Sequence, residues 1–445
     1  MDKFFWGVST SATQVEGAHD KDGKGETLWD YYSKNKAIFN GDTCFNACDC
    51  YNRTGEDIQL MKELGVNSYR FSLSWSRMFP NDSKEINQKG VDFYSKFVDD
   101  LLKAGIEPFV TLYHWDMPIY LHEKGGFSNR DIIYRMEEYA SLVGKTLGDR
   151  VKYFSVFNEP ECIADFTYLH PVWDGVEKRK SYQETYEAMH NILLCNGLAT
   201  RALRSVCKDG VKFGISSATD VCVPNTPKDV EAARIAMFAP REDMLFDNAS
   251  FLDPIFFGKL YMPTIEKFNI DTSFVKDGDM DIIKCPLDFI GSNIYTGKYV
   301  EFNENNEVVN SKVSPNNAYP GGRMVVPTSV YYGPKFLHER YNVPIYITEN
   351  GFNISEMLNG EGRLLDDTRS ECIKAYIAEA MKAKKDGVDL RGYFYWSLFD
   401  NFEWKFGYVP RFGIVHVDFE TYKRTPKQSF YTYQDCIKKY RGESK

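Results

Sequence analysis

The chain has little of what would commit it to nucleic acid, metal or membrane. Its 54 lysines and arginines are outnumbered by 63 aspartates and glutamates, for a net charge of −9. No basic run interrupts that excess, so no nucleic-acid partner is expected. Histidine is scarce, at seven residues, and of ten cysteines only Cys44, Cys48 and Cys50 cluster. Without paired histidines at ligand spacing no metal site is expected there, and scattered thiols suit a reducing compartment. No apolar run is long enough to span a bilayer, and the opening MDKFFWGVSTSA lacks a basic region followed by a long apolar stretch. Neither a membrane span nor a signal peptide is therefore expected. A cytoplasmic protein follows, in which the sequons at Asn52, Asn81, Asn248 and Asn353 stay idle. There is no glycine-rich phosphate loop, no dinucleotide fingerprint, no tandem short repeat and no linker rich in Pro, Gly or Ser. A single domain over residues 1–445 is expected.

What is abundant is aromatic: 29 Tyr, 32 Phe and 7 Trp, within a hydrophobic share of 43%. That suits a large packed core, and also a site that stacks on flat sugar faces. Eight strand candidates follow one another: Phe4–Ala12, Asn67–Trp75, Glu107–Trp115, Val151–Glu159, Val211–Ala218, Phe289–Thr296, Pro344–Phe352 and Leu390–Asp400. Helical periodicity lies between most of them, over Gly55–Leu64, Val91–Ala104, Ile132–Leu147, Tyr186–Val206, Asp229–Phe238, Val330–Tyr341 and Asp366–Lys384. A closing helix runs near Phe430–Tyr440. Such alternation predicts an α/β fold with a parallel sheet, and eight units fit a closed (β/α)8 TIM barrel. The polar stretches Pro224–Phe246 and Glu301–Pro327 read as inserted loops over the carboxyl-end face.

Two strands share an unusual ending. PIYITENGF (Pro344–Phe352) and VKYFSVFNEP (Val151–Pro160) are β-rich runs that each stop at a glutamate, Glu349 and Glu159. A carboxylate at the end of an apolar strand is costly to desolvate unless something there uses or pairs it. In a barrel the carboxyl ends of the strands form the catalytic face. The polar residues at those ends are Gln14, Arg70, His114, Asn158, Glu159, Asn293, Tyr295, Glu349, Trp396 and Glu403. Amides, carboxylates and indoles together suit a neutral ligand with many hydroxyls. Two carboxyl groups facing a glycosidic bond can cleave it, one protonating the leaving oxygen and the other capturing the anomeric carbon. Arg70 and Tyr295 are candidates to support an ionised nucleophile. Chemistry alone does not say which glutamate plays which part.

The motifs YRFSLSWSR (Tyr69–Arg77), YHWDMP (Tyr113–Pro118), FNEP (Phe157–Pro160), ITENG (Ile347–Gly351) and WSLFDNFEW (Trp396–Trp404) carry a resemblance. Together, in order and over essentially the whole chain, they resemble the family-1 glycoside hydrolases, the β-glucosidase family. The resemblance implies a TIM barrel, retention of anomeric configuration and no cofactor. Its partner would be a small-molecule β-glycoside, with terminal β-D-glucosyl residues as the expected target. It implies Glu159 as general acid/base and Glu349 as nucleophile, with carboxyl groups ~5 Å apart as retention requires. It also implies that Gln14, His114, Asn158, Trp396, Glu403 and Trp404 bind the sugar, with Asn293, Tyr295 and Arg70 supporting the nucleophile.

Glu403 bears on the substrate subclass. Phospho-glycosidase relatives typically carry serine there, and a glutamate would repel a sugar 6-phosphate. Lys405 and Tyr408 nearby keep a 6-phospho-β-glucosidase as the alternative, beside a catalytically silent sugar-binding barrel. Transglycosylation and β-galactosidase or β-fucosidase side activity would use the same site. Glu16, Asp116 and Asp400 read as structural acceptors. The chain departs from the family at Val156, where threonine is usual. It departs again at Glu161, where tryptophan is customary, and in the following segment, where His170 and Trp173 are candidates to line an altered entrance.

Overall fold

The computed structural model describes residues 4–171, 178–311 and 324–443. At its centre eight parallel strands close into a barrel: β1 (Phe5–Ser9), β2 (Ser68–Ser72), β3 (Glu107–Tyr113), β4 (Tyr153–Asn158), β5 (Lys212–Ala218), β6 (Phe289–Asn293), β7 (Ile345–Asn350) and β8 (Leu390–Trp396). Their spatial order is their order in the chain, and β8 returns to pair with β1, Ser9 opposite Trp396. Parallel neighbours need a crossover, and helices supply it. They include Cys50–Leu64, Gln88–Lys103, Ile132–Leu147, Tyr182–Val206, Ser329–Tyr341, Asp367–Lys385 and Gln428–Arg441. This is the expected (β/α)8 barrel. Strands covered on both faces must be apolar throughout, which is why β1, β2 and β6 are buried at every position.

The lower half of the barrel is filled with rings. Phe5, Phe109, Phe289, Tyr346 and Phe394 form one cluster, and Phe109 stacks on Tyr153 with centroids 4.2 Å apart. Glycines on neighbouring strands make the room: a Cβ on Gly7 would stand 2.3 Å from Phe394 Cδ1, and one on Gly214 2.3 Å from Phe289 Cε2. With that end plugged, space for a ligand is left at the carboxyl ends of the strands.

Several strands end earlier than the periodicity predicts. β1 gives way to a helical turn at Ala12–Val15, and β2 to another at Trp75–Met78. The polar residues there leave the ladder for other partners, Gln14 donating to Glu403 and Arg77 to Glu16. The two inserted stretches are also more ordered than loops. Cys222–Pro224, Lys298–Phe302 and Val308–Asn310 form a three-stranded sheet, with the helix Val230–Phe238 against it. Residues 312–323 of the second stretch lie outside the described residues. Asn248–Phe257 is a helix that the sequence pattern did not announce, because Pro254 inside it reads as a breaker. Among the described residues no helix is long and apolar enough to cross a membrane.

Gly351, directly after the β7 carboxylate strand, passes so close to β8 that a Cβ would stand 1.6 Å from the Trp396 carbonyl oxygen. Backbone cannot yield there as a flexible side chain would. Gly351→Ala is expected to cost roughly 1–3 kcal/mol or more, the scale of overpacking. A lowered thermal midpoint, with activity reduced at temperatures where the variant is still folded, would be the readout.

Candidate active site

The barrel breaks its own register where the two glutamates stand. Pairing of β4 with β5 shifts between Ser155 and Asn158, and that of β6 with β7 shifts between Ile347 and Glu349. Irregularities of this kind re-aim a side chain at the rim of a sheet. Glu159 follows β4 in a left-handed conformation, φ +48°, a state that costs a non-glycine residue on the order of 1 kcal/mol. Its N–H donates to the Ser216 carbonyl at 2.6 Å, and Pro160 then opens the short helix Pro160–Ala164.

One hydrogen-bond network joins the two carboxyl groups. Arg70 donates from Nη1 to Glu349 Oε1 and from Nη2 to Asn158 Oδ1, both at 2.6 Å. Asn293 Nδ2 donates to Asn158 Oδ1 at 3.0 Å and to Glu159 Oε1 at 2.8 Å. The Tyr295 hydroxyl donates to Glu349 Oε2 at 2.5 Å. Burial beside the Glu349 charge holds the Tyr295 phenol well above its ordinary range, so it remains a donor. Burial also pushes the Glu349 carboxyl up to about 7, against the pull of Arg70 and Tyr295 and with Glu159 adding to the push.

The same network sets the histidine. Asn158 accepts through Oδ1, so its NH2 group donates to His114 Nε2 at 2.9 Å. Burial, with Arg70 adding, holds His114 well below its ordinary range, so the ring is neutral and carries its proton on Nδ1. That Nδ1 is buried without a hydrogen-bond partner, an arrangement that costs free energy until a ligand oxygen arrives. Trp396 and Trp404 flank the imidazole, each with its centroid under 6 Å away (5.7 and 5.8 Å) and inclined by 27°.

All of this borders one cavity of about 560 Å3, large enough for a sugar and its substituent. His114, Asn158, Glu159, Asn293, Tyr295, Glu349, Trp396, Glu403 and Trp404 line it. Two predicted residues stand behind the wall instead. Arg70 braces Glu349 and Asn158, and Gln14 donates to Glu403 Oε2 at 3.1 Å and to Asn401 Oδ1 at 3.0 Å. Tyr408 is turned away, its hydroxyl on the Thr43 carbonyl at 2.7 Å. His170 pairs with Asp165 rather than lining the cavity, and Trp173 lies outside the described residues.

The sequence reading did not single out Trp115, Phe166, Phe246 or Phe412, which also line the cavity. Only Trp115 had a signal, as the neighbour of His114 in the same motif. The others come from connecting segments that reach the mouth by folding alone. Glu16, Asp116 and Asp400 are structural acceptors as expected. Arg77 and Tyr94 hold Glu16, two backbone N–H groups bond Asp116, and Lys427 bonds Asp400 at 2.8 Å. Among the described residues Glu356, Asp400 and His416 could bring three ligand atoms together, but the Lys427 ammonium already bonds both carboxylates there.

Residues 1–441 match the glycosyl hydrolase family 1 profile. The chain belongs to glycosyl hydrolase family 1. Among its relatives, β-glucosidase A of Thermotoga maritima is 40% identical over 443 residues, covering 98% of this chain and 97% of that protein. A bifunctional β-D-glucosidase/β-D-fucosidase of Bifidobacterium breve is 34% identical, with the same coverage of 98% and 97%. The solved structure of the T. maritima β-glucosidase with glucoimidazole superposes with a TM-score of 0.87 at 38% identity, covering 98% of each chain.

In this family 1 barrel Arg70 is the cation that keeps Glu349 ionisable. Arg70→Met removes the charge that favours the carboxylate, so the Glu349 midpoint should move upward from about 7. Infrared difference titration of the carboxyl band, with Glu349→Gln as the blank, measures it.

Proposed function

We propose that this chain is a retaining β-glucosidase that hydrolyses terminal non-reducing β-D-glucosyl residues through a covalent glycosyl-enzyme, acting as one catalytic domain. The observation that carries the reading is the pair of buried carboxyl groups, Glu159 and Glu349, on one cavity and in different hydrogen-bonding company. Glu349 receives a guanidinium and a phenol, donors that favour the anion and fit a nucleophile. Glu159 receives a neutral amide on Oε1 rather than a guanidinium, company that fits a group that carries and delivers a proton. Asn158, which bridges Arg70, Asn293 and His114, would read the hydroxyl beside the reacting carbon. His114 Nδ1 and Glu403 supply a donor and an acceptor to the others, with the faces of Trp396 and Trp404 against the C–H surface. Each assignment agrees with the role implied for that residue by the family motifs.

Glu403 on the wall favours an unphosphorylated sugar, since a second anion beside a 6-phosphate would repel it. Of the two groups that could have held such a phosphate, Tyr408 bonds Thr43 instead, while Lys405 lines the cavity. Nine of the ten free cysteines are buried, which suits a reducing, cytoplasmic setting.

Paired rescue experiments test the assignment. Glu349→Gly should lose turnover of dinitrophenyl β-glucoside by on the order of 10⁴-fold or more, the scale of a removed nucleophile. Added azide should restore it and yield the inverted α-glucosyl azide, whereas azide with Glu159→Gly should give the retained β-product. Wild-type turnover by Glu349→Ala would overturn the mechanism. A panel of aryl glucosides, galactosides, fucosides and 6-phosphoglucosides reads the sugar preference, with the phosphorylated member expected to be the poorest.

A further inference from the structure

One buried carboxyl group next to the site has no part in the chemistry above. Glu161 is 0% exposed, two residues beyond Glu159 on the short helix Pro160–Ala164. Its Oε1 lies 2.5 Å from Ser217 Oγ, and its Oε2 accepts the Ala218 N–H at 3.1 Å. Both partners are the last residues of β5. Ala218 is paired in register with Asn293 on β6, and Asn293 donates to Glu159. A ring is thus closed: Glu159, the turn to Glu161, the end of β5, Asn293, and back to Glu159. The Glu159 N–H bond to Ser216 adds a third tie to the same strand end.

We propose that Glu161 is a positioning residue for the proton donor, clamping the left-handed Glu159 turn to the end of β5 so that the Glu159 carboxyl meets the leaving oxygen. This rests on the reading of Glu159 as general acid. A carboxyl left unbonded at full burial would be a liability, so its two bonds to one strand end specify where the turn can sit. The turn needs such a restraint, because a non-glycine residue at positive φ persists only where its surroundings hold it. Misplacement of an acid by even a fraction of an ångström lowers the yield of proton transfer.

Glu161 does this work as a neutral group. Burial pushes its carboxyl up to about 8, with Glu159 adding to the push against the bonds from Ser217 and Ala218. The titratable groups around it are Glu159 and Cys162 on its own turn, and Asp165 and Tyr168 on the next. Tyr186, His190 and Cys195 are buried on the helix packed behind, where His190 is paired with Asp279. An amide of the same shape can accept the Ala218 N–H and donate to Ser217 Oγ, so glutamine preserves the clamp.

The test is a leaving-group split in kcat/KM, which reports the steps through first bond cleavage. A dinitrophenyl glucoside departs without a proton, whereas an alkyl glucoside needs one. Glu161→Ala should lose about tenfold on the alkyl glucoside, a fraction of the 10²–10⁴ that general acid catalysis supplies. Its loss on the dinitrophenyl substrate should stay below about twofold, within what a displaced acid leaves untouched. Glu161→Gln should restore the alkyl rate. Equal losses on both substrates, wild-type rates in Glu161→Ala, or no rescue by glutamine would each overturn the proposal. Should Glu161→Ala fail to fold, Ser217→Ala opens one side of the clamp and carries the same comparison. Glu159→Ala serves as control: absence of a split there would defeat the general-acid assignment itself, independently of Glu161.

Discussion

The site depends on one buried contact, the guanidinium of Arg70 against the carboxylate of Glu349 at 2.6 Å. Both side chains are almost wholly removed from water, and an unpaired charge of either sign would be driven neutral or would destabilise the barrel. Pairing makes the anion tolerable without making it inert, since burial still holds Glu349 far above an ordinary carboxyl. The second arm of Arg70 then fixes Asn158, and Asn158 orients the neutral His114 ring. A single cation on β2 thereby fixes the aim, and together with burial biases the protonation state, of groups delivered by three other strands.

The barrel turns that contact into a cavity. Its lower half is plugged by aromatic rings fitted against glycines, so the free volume lies where the strands end. Register shifts at the ends of β4 and β7 bring the two glutamates toward it. The positive φ at Glu159 stores strain in the turn that carries this carboxyl group. Function here lives in departures from the regular barrel, each held by specific hydrogen bonds.

Similarity to known β-glucosidases extends over 98% of the chain. Phe166 and Phe246 face each other at 6.3 Å between centroids, from two segments whose sequence departs from or lies outside the shared motifs. Both rings line the cavity, and Glu161 is buried close by on the helix Pro160–Ala164.

The order of strands and helices was legible in the sequence, because periods of about two and 3.6 residues are local properties of the chain. The candidate pair was legible too, since a glutamate closing an apolar strand is a conflict that local reasoning detects, and the family motifs then implied its roles. Strand ends were overrun at β1, β2 and β8, because local periodicity does not mark where the last ladder bond falls. The helix holding Pro254 and the sheet within the inserted stretches escaped notice because packing overrode local signals. Only the tertiary structure could decide that Gln14 stands behind Glu403, that His114 is neutral, and that Glu161 closes a ring with Ser217, Ala218 and Asn293. Those facts depend on burial and on partners tens to hundreds of residues away, and neither is a property of a short stretch of chain.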